Sequence, residues 1–244
     1  MHPIIFQNQY FTIYSYGLML ALATMVGIFF TAREYKKKHS SASPLLVYDF
    51  GFWTIIGGIV GARLLFVILD FSYFKNNPLE IIMLNHGGLV YYGGLIGGII
   101  SGYVFLKIKR IFIQDMVLCL IPFMPLGHAI GRAGCFLNGC CYGKFDSHGN
   151  RYPTQIYEII FNLLIFVILM NIKKKCTDAW QMVFSYLFLY GLGRFVVEFF
   201  RGDDVTVFSG LRISQWISLF FMFISIIYFL KVLLKKKKEK YGKK

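Results

Sequence analysis

Residues 111–143 read IFIQDMVLCLIPFMPLGHAIGRAGCFLNGCCYG, twenty mainly apolar residues running straight into a glycine-rich stretch. About 20 apolar residues suffice for a helix to cross a bilayer. The first part predicts a membrane span over 111–130. The second part places a fixed positive charge, Arg132, among Gly131, Gly134, Gly139 and Gly143 at the end of that span. An arginine at that depth costs free energy unless something negative meets it, so the junction predicts an anion site at a lipid surface.

Working outward, six more apolar stretches fall near 12–31, 46–69, 88–106, 154–171, 180–199 and 213–234. With 57% hydrophobic and 18% aromatic residues in 244, the composition excludes an ordinary soluble domain. It predicts an all-α, polytopic membrane protein with seven transmembrane helices. One transmembrane domain is expected over 1–234, with a basic cytoplasmic tail at 235–244. The stretch before the first apolar segment is neutral and no small-residue cleavage site follows it, so that segment is expected to remain as the first span.

The net charge of +14 would suit a nucleic-acid binder, but its distribution points elsewhere. With the N-terminus outside, the inner loops carry Arg33, Lys36, Lys37 and Lys38, then Lys107, Lys109 and Arg110, then Lys173, Lys174 and Lys175. The tail adds eight lysines from Lys231 onward, so 18 of the 26 basic residues face the cytoplasm. The positive-inside rule then orients the N-terminus out and the C-terminus in. Nucleic acid is not an expected partner. Anionic headgroups are, at about 1 kcal/mol per lysine near the surface.

This orientation leaves few basic residues outside, among them Arg132, Arg151, Arg201 and Arg212. Arg194 and Glu198 are spaced to share one helix face, and Arg201 follows three residues later. The group reads either as a self-neutralising pair that holds helices together or, with Arg132, as a positive excess that grips phosphate through paired guanidinium hydrogen bonds. Glycines at 57, 58 and 61, and again at 93, 94, 97 and 98, repeat a small-xxx-small pattern that suits close helix packing. His86-Gly87-Gly88 and Tyr91-Tyr92-Gly93-Gly94 also admit a re-entrant turn lining a polar cavity.

Five ordered motifs carry a resemblance. They are Tyr16-Gly17-Leu18-Met19; Tyr92-Gly93-Gly94-Leu95-Ile96-Gly97; Gly131-Arg132 through Phe136, Asn138 and Gly139; Tyr152-Pro153-Thr154-Gln155-Ile156-Tyr157-Glu158; and Gly193-Arg194 through Glu198 to Arg201. Together they resemble the bacterial prolipoprotein diacylglyceryl transferases over nearly the whole chain. The resemblance implies transfer of diacylglyceryl from phosphatidylglycerol to the cysteine thiol of a prolipoprotein signal peptide, in the inner membrane and without metal or organic cofactor. It implies that Arg132 contacts phospholipid and that Arg194 matters for activity, with Tyr16 and Tyr92 as further catalytic candidates. Asn138, Gly143, Gln155, Tyr157, Glu158, Glu198, Arg201 and His86 become substrate-binding candidates.

The pattern departs from the family at three places. Tyr92 stands where many members carry a histidine, and a phenol with a pKa near 10 is a poor base, which makes His86 the alternative. Cys135 and Cys140 replace asparagine and glutamate. The loop from Gly143 to Tyr152 is short. Two rival readings follow from other features. Cys135-x4-Cys140-Cys141 admits a metal or thiol-exchange site, although no histidine sits at a familiar ligand spacing; packing beside a turn is the expected role. Arg63 and Arg194 with the glycine echo admit a transporter of an anionic solute, and a transferase paralogue with a changed acceptor is a further alternative.

Overall fold

A computed structural model describes the chain except residues 1, 10–11, 84–86, 177, 203–209 and 242–244; His86 therefore lies outside the described residues. The described chain is helical apart from one short hairpin. Two compact units are formed, one by residues 1–30 with 117–244 and the other by 31–116.

The first unit opens with β1 (Ile4–Gln7) paired antiparallel to β2 (Thr12–Tyr14), an addition to the expected all-helical fold. Ser15 closes the hairpin, its backbone N–H and hydroxyl both donating to the Pro3 carbonyl at 2.9 and 3.2 Å, and begins α1 (Ser15–Lys38). The expected span at 111–130 falls within one helical run over 113–138 that contains a short 3-10 turn. Pro122 ends α5 (Ile113–Leu120) in a 3-10 turn, and α6 (Met124–Asn138) then continues through the glycine-rich stretch. Arg132 is therefore on a helix, not in a loop. Gly139, at φ 76°, stops that helix: its N–H and that of Cys140 return to the carbonyls of Phe136 and Cys135, the left-handed cap for which glycine carries no side-chain penalty.

Helices α7 (Thr154–Lys173), α8 (Ala179–Glu198) and α9 (Ile213–Tyr241) complete the unit. Leu118, Ile165, Leu169, Ala179, Met182 and Tyr186 form its buried apolar cluster. Close helix approach is needed twice along α8: a Cβ on Gly193 would stand 2.7 Å from the Phe161 ring, and one on Gly191 3.0 Å from the Ser218 carbonyl. At the start of α8, Asp178 accepts from the Trp180 N–H at 2.9 Å and from the Tyr228 hydroxyl at 2.8 Å. One carboxylate thus caps α8 and ties it to α9.

In the second unit, α2 (Leu45–Leu69) packs on α4 (Tyr91–Ile108) through glycines on both sides, with the short α3 (Phe71–Asn76) between them in sequence. A Cβ on Gly61 would lie 2.4 Å from the Gly93 carbonyl oxygen, and one on Gly97 2.3 Å from that of Gly57. The small-residue repeat is a packing surface, and Tyr91 to Gly94 open a helix instead of a re-entrant turn. Arg63, buried on α2, donates to the carbonyls of Ile81 (2.9 Å), Met83 (3.0 Å), Gly88 (3.1 Å), Glu80 and Gly87. Its guanidinium thereby ties α2 to the chain at residues 80–83 and 87–88.

Among the described residues, six helical stretches are long and apolar enough to cross a membrane: 15–38, 45–69, 91–108, 113–138, 154–173 and 213–238. The expected seventh, α8, has 20 residues but carries Gln181, Arg194, Glu198 and two tyrosines. Its polar content reflects what it faces: Ser185 and Glu198 are buried within the unit.

The α2–α4 contact yields a direct expectation. Gly61→Ala forces the helices apart and lowers stability by about 1–3 kcal/mol. Gly17→Ala, where no atom lies within 4 Å of the added methyl, leaves thermal unfolding in detergent unchanged or raises its midpoint.

Candidate active site

Three helix ends and the chain beside them bring six charged side chains together. Glu158 lies in the second turn of α7, Arg194 and Glu198 at the end of α8, Arg201 just beyond it, Arg132 near the end of α6, and Arg212 immediately before α9. Glu158 is the hub. Its Oε2 meets Arg132 Nε at 2.5 Å, while its Oε1 meets Arg194 Nη1 at 2.9 Å and Arg201 Nη1 at 3.5 Å. Glu198 gathers the other side, with Arg194 Nη2 at 2.9 Å, Arg212 Nη1 at 3.3 Å and Arg201 Nε at 4.0 Å. Arg212 also donates to the Arg201 carbonyl at 2.8 Å.

Among the described residues, four guanidinium groups share two carboxylates. The carboxylate side chains are 6% and 4% exposed, and the arginine side chains 10–23%, so solvent screens these charges poorly. Two unit charges 4 Å apart interact by about 4 kcal/mol at the effective dielectric of a protein surface, against about 1 kcal/mol in bulk water. A cluster of guanidinium groups held this close favours an added anion. The same field reaches the neighbouring loop, where the Cys141 thiol is held below its usual value, first by a hydrogen bond with Cys135, then by one with Cys140 and the charges of Arg132 and Arg201.

Backbone contacts place Arg201. Gly143 bridges to it, the Lys144 N–H donates to the Phe200 carbonyl at 2.9 Å, and the Gly143 N–H donates to that of Tyr152 at 2.9 Å. A Cβ on Gly143 would fall 2.6 Å from both the Phe200 and Tyr152 carbonyl oxygens, so only glycine fits between the two segments. The short loop beyond it is a compact turn, with Asp146 accepting from the N–H groups of His148 and Asn150 at 2.8 Å.

Of the residues singled out from the sequence, Arg132, Glu158, Arg194, Glu198 and Arg201 join one network, and Gly143 supports it. Gln155 is buried in the first turn of α7. Its Nε2 donates to the Cys140 carbonyl at 2.6 Å, and its Oε1 has no hydrogen-bond partner among the described residues. Tyr157 packs edge-on against Phe200, ring centroids 5.9 Å apart. Tyr16, half-exposed in the first turn of α1, lies beside Gly134 of α6, and Asn138 is the last residue of α6. Tyr92 is not in the network. It stands 56% exposed in the first turn of α4, in the other unit, with its ring against Tyr91.

Two residues escaped the sequence reading of the site. Arg212 is noted there only as an outer charge, since nothing in its spacing ties it to Glu198. His128 goes unremarked, although it lies four residues before Arg132 on one helix face; its Nδ1 is 3.1 Å from the Tyr186 hydroxyl. The cysteines lie together beside the turn at Gly139, the Sγ atoms of Cys135, Cys140 and Cys141 all within 4.8 Å of one another.

Comparison with known proteins adds a family. Residues 3–231 match the prolipoprotein diacylglyceryl transferase family. The phosphatidylglycerol–prolipoprotein diacylglyceryl transferase of Clostridium tetani is 35% identical over 94% of this chain and 97% of its own length. Those of Streptococcus mutans and Staphylococcus xylosus are each 33% identical, over 93% and 92% of this chain and 93% and 87% of their own.

Removing the hub carboxylate should expose its role. Glu158→Gln takes the shared negative charge from three guanidinium groups and lowers stability by about 3–5 kcal/mol, and a second substitution, Arg201→Gln, restores part of the loss. Unfolding of the single and double variants in detergent measures both effects; additive losses would mean that Glu158 and Arg201 do not interact.

Proposed function

Because the chain belongs to the prolipoprotein diacylglyceryl transferase family, we propose that it moves the diacylglyceryl group of phosphatidylglycerol onto the cysteine thiol of a prolipoprotein signal peptide in the bacterial plasma membrane. One observation carries the assignment of the site: four partly buried arginines gathered on two buried glutamates, a cluster of guanidinium groups that suits a phosphodiester. The headgroup phosphate sits against Arg132, Arg194 and Arg201. Gln155 Oε1, buried and without a hydrogen-bond partner among the described residues, accepts a hydrogen bond from a headgroup hydroxyl, and Asn138 and Tyr157 are further substrate-binding candidates.

In the reaction the thiol, with an ordinary pKa near 8.5, loses its proton and its sulfur attacks the glyceryl carbon bearing the phosphate. The carbon–oxygen bond breaks, its electron pair passes to the phosphate oxygen, and glycerol phosphate leaves. A thioether remains on the peptide. Negative charge grows on the leaving oxygen as the bond opens, and guanidinium groups already fixed by Glu158 and Glu198 meet it without reorganising. Donors preorganised in this way are commonly worth about 10²–10³ in rate each. Glu158 and Glu198 act through the arginines they orient. Tyr16 flanks Arg132 from α1; the proton acceptor is nominated by sequence resemblance alone, as Tyr92 with His86 as the alternative.

We place the N-terminus outside and the C-terminus in the cytoplasm, with α8 as a seventh crossing sheltered by its neighbours and residues 235–244 as a cytoplasmic tail. The lysine distribution supports this orientation, and it sets the arginine network at the outer leaflet, where a signal-peptide cysteine and a phospholipid headgroup can meet.

The test mixes purified protein with phosphatidylglycerol and a lipobox peptide and follows the peptide's mass. Gain of one diacylglyceryl unit is expected. Arg132→Ala abolishes the gain while the protein still inserts, and an active Arg132→Ala variant would remove the central residue of this reading. Arg194→Lys loses at least about tenfold, because an ammonium cannot span two carboxylates as the planar fork does. A Tyr92→Phe variant with an intact rate would move the proton acceptor to His86.

A further inference from the structure

The loop that follows Arg132 carries three thiols that the transfer reaction does not use. Cys135 is buried in the last turn of α6, and Cys140 and Cys141 follow the left-handed turn at Gly139 that folds the chain back over that helix end. The Cys140 N–H donates to the Cys135 carbonyl at 3.1 Å. Cys141 itself adopts φ 62°, a left-handed backbone that disfavours any residue but glycine, asparagine or aspartate. The conformation turns its sulfur inward, to 3.8 Å from Cys140 Sγ. Two hydrogen bonds from α7 hold the segment: Gln155 Nε2 to the Cys140 carbonyl at 2.6 Å and Thr154 Oγ1 to the Cys141 carbonyl at 2.9 Å. Both donors are buried.

We propose that Cys135, Cys140 and Cys141 form a three-thiolate site for a thiophilic d10 cation, Zn²⁺ or Cu⁺. Metal–sulfur bonds of about 2.3 Å in a tetrahedral centre put neighbouring sulfurs about 3.8 Å apart. The Cys140–Cys141 separation already has that value, and all three sulfurs lie within 4.8 Å of one another, so closure needs a sulfur shift of about 1 Å at most. Soft thiolates select these ions over hard divalent cations. Charge agrees as well. Three thiols release three protons to solvent as the metal–sulfur bonds form, leaving a centre of charge −1 with Zn²⁺ or −2 with Cu⁺, in a loop close to the positive charges of Arg132 and Arg201. No electron is transferred, so the site requires no oxidant. Zn²⁺ leaves one coordination position for water or another ligand, whereas Cu⁺ is satisfied by three sulfurs.

The full chain, purified in detergent under reductant and then freed of it, is titrated with Co²⁺ as a spectroscopic probe, with Zn²⁺ in competition, and separately with Cu⁺ against a chelator. One equivalent per chain with a thiolate-to-metal charge-transfer band is expected. Displacement of cobalt by zinc identifies a four-coordinate site, and tight binding of Cu⁺ alone identifies a trigonal one. Cys135→Ser, Cys140→Ser and Cys141→Ser each weaken binding by more than about tenfold, the least that loss of even a supporting partner costs, while Cys119→Ala and Cys176→Ala bind as wild type. Should a variant fail to fold, metal protection of the three thiols against maleimide in the wild-type chain, located by peptide mass, gives the same answer. Less than one equivalent bound at micromolar metal, a charge-transfer band that survives Cys141→Ser, or a disulfide joining two of the three in protein purified without oxidant would each overturn the proposal.

Discussion

The Glu158 carboxylate, shared by guanidinium groups from α6, α8 and the segment after α8, is the interaction on which the site depends. A buried carboxylate and a buried arginine are each costly alone, and pairing recovers that cost only when geometry and hydrogen bonds are good. Here Glu158 meets three partners and Glu198 three, with Arg194 and Arg201 common to both. The ends of three helices are thereby fixed to one another by charge at a point where close apolar packing alone would leave them free to slide.

Among the described residues the guanidinium groups of this network outnumber its carboxylates. The glutamates fix the guanidinium planes, so the cost of ordering them is met on folding, which is the preorganisation that the proposed reaction calls for. Gly143 belongs to the same design, since the segment that carries Arg201 approaches Tyr152 too closely for any side chain between them.

The second unit uses different means for the same need of burying polar backbone in an apolar setting. Glycines let α2 and α4 touch backbone to backbone, and Arg63 donates to the carbonyls of Ile81, Met83 and Gly88 in the connection between them. One arginine there performs a structural task that several water molecules would perform in a soluble protein.

Read alone, the sequence was sufficient for the membrane class, the approximate positions of the helices, the glycine packing surface and the Arg194–Glu198 pair. Each of these rests on composition or on spacing within one element, where hydrophobic length and the 3.6-residue period act directly. Contacts between distant elements were decided by the tertiary structure. Glu158 as a hub joins residues 26 and 36 positions away, Arg212 reaches Glu198 across 14, and α8 tolerates its polar content because α7 and α9 flank it. The same holds for the three sulfurs: Cys135-x4-Cys140-Cys141 has no recognised ligand spacing, and they converge because Gly139 reverses the chain and Cys141 takes a left-handed turn. Local patterns state which groups share a face of one helix, whereas charge balance and ligand geometry are set by how helix ends meet in space.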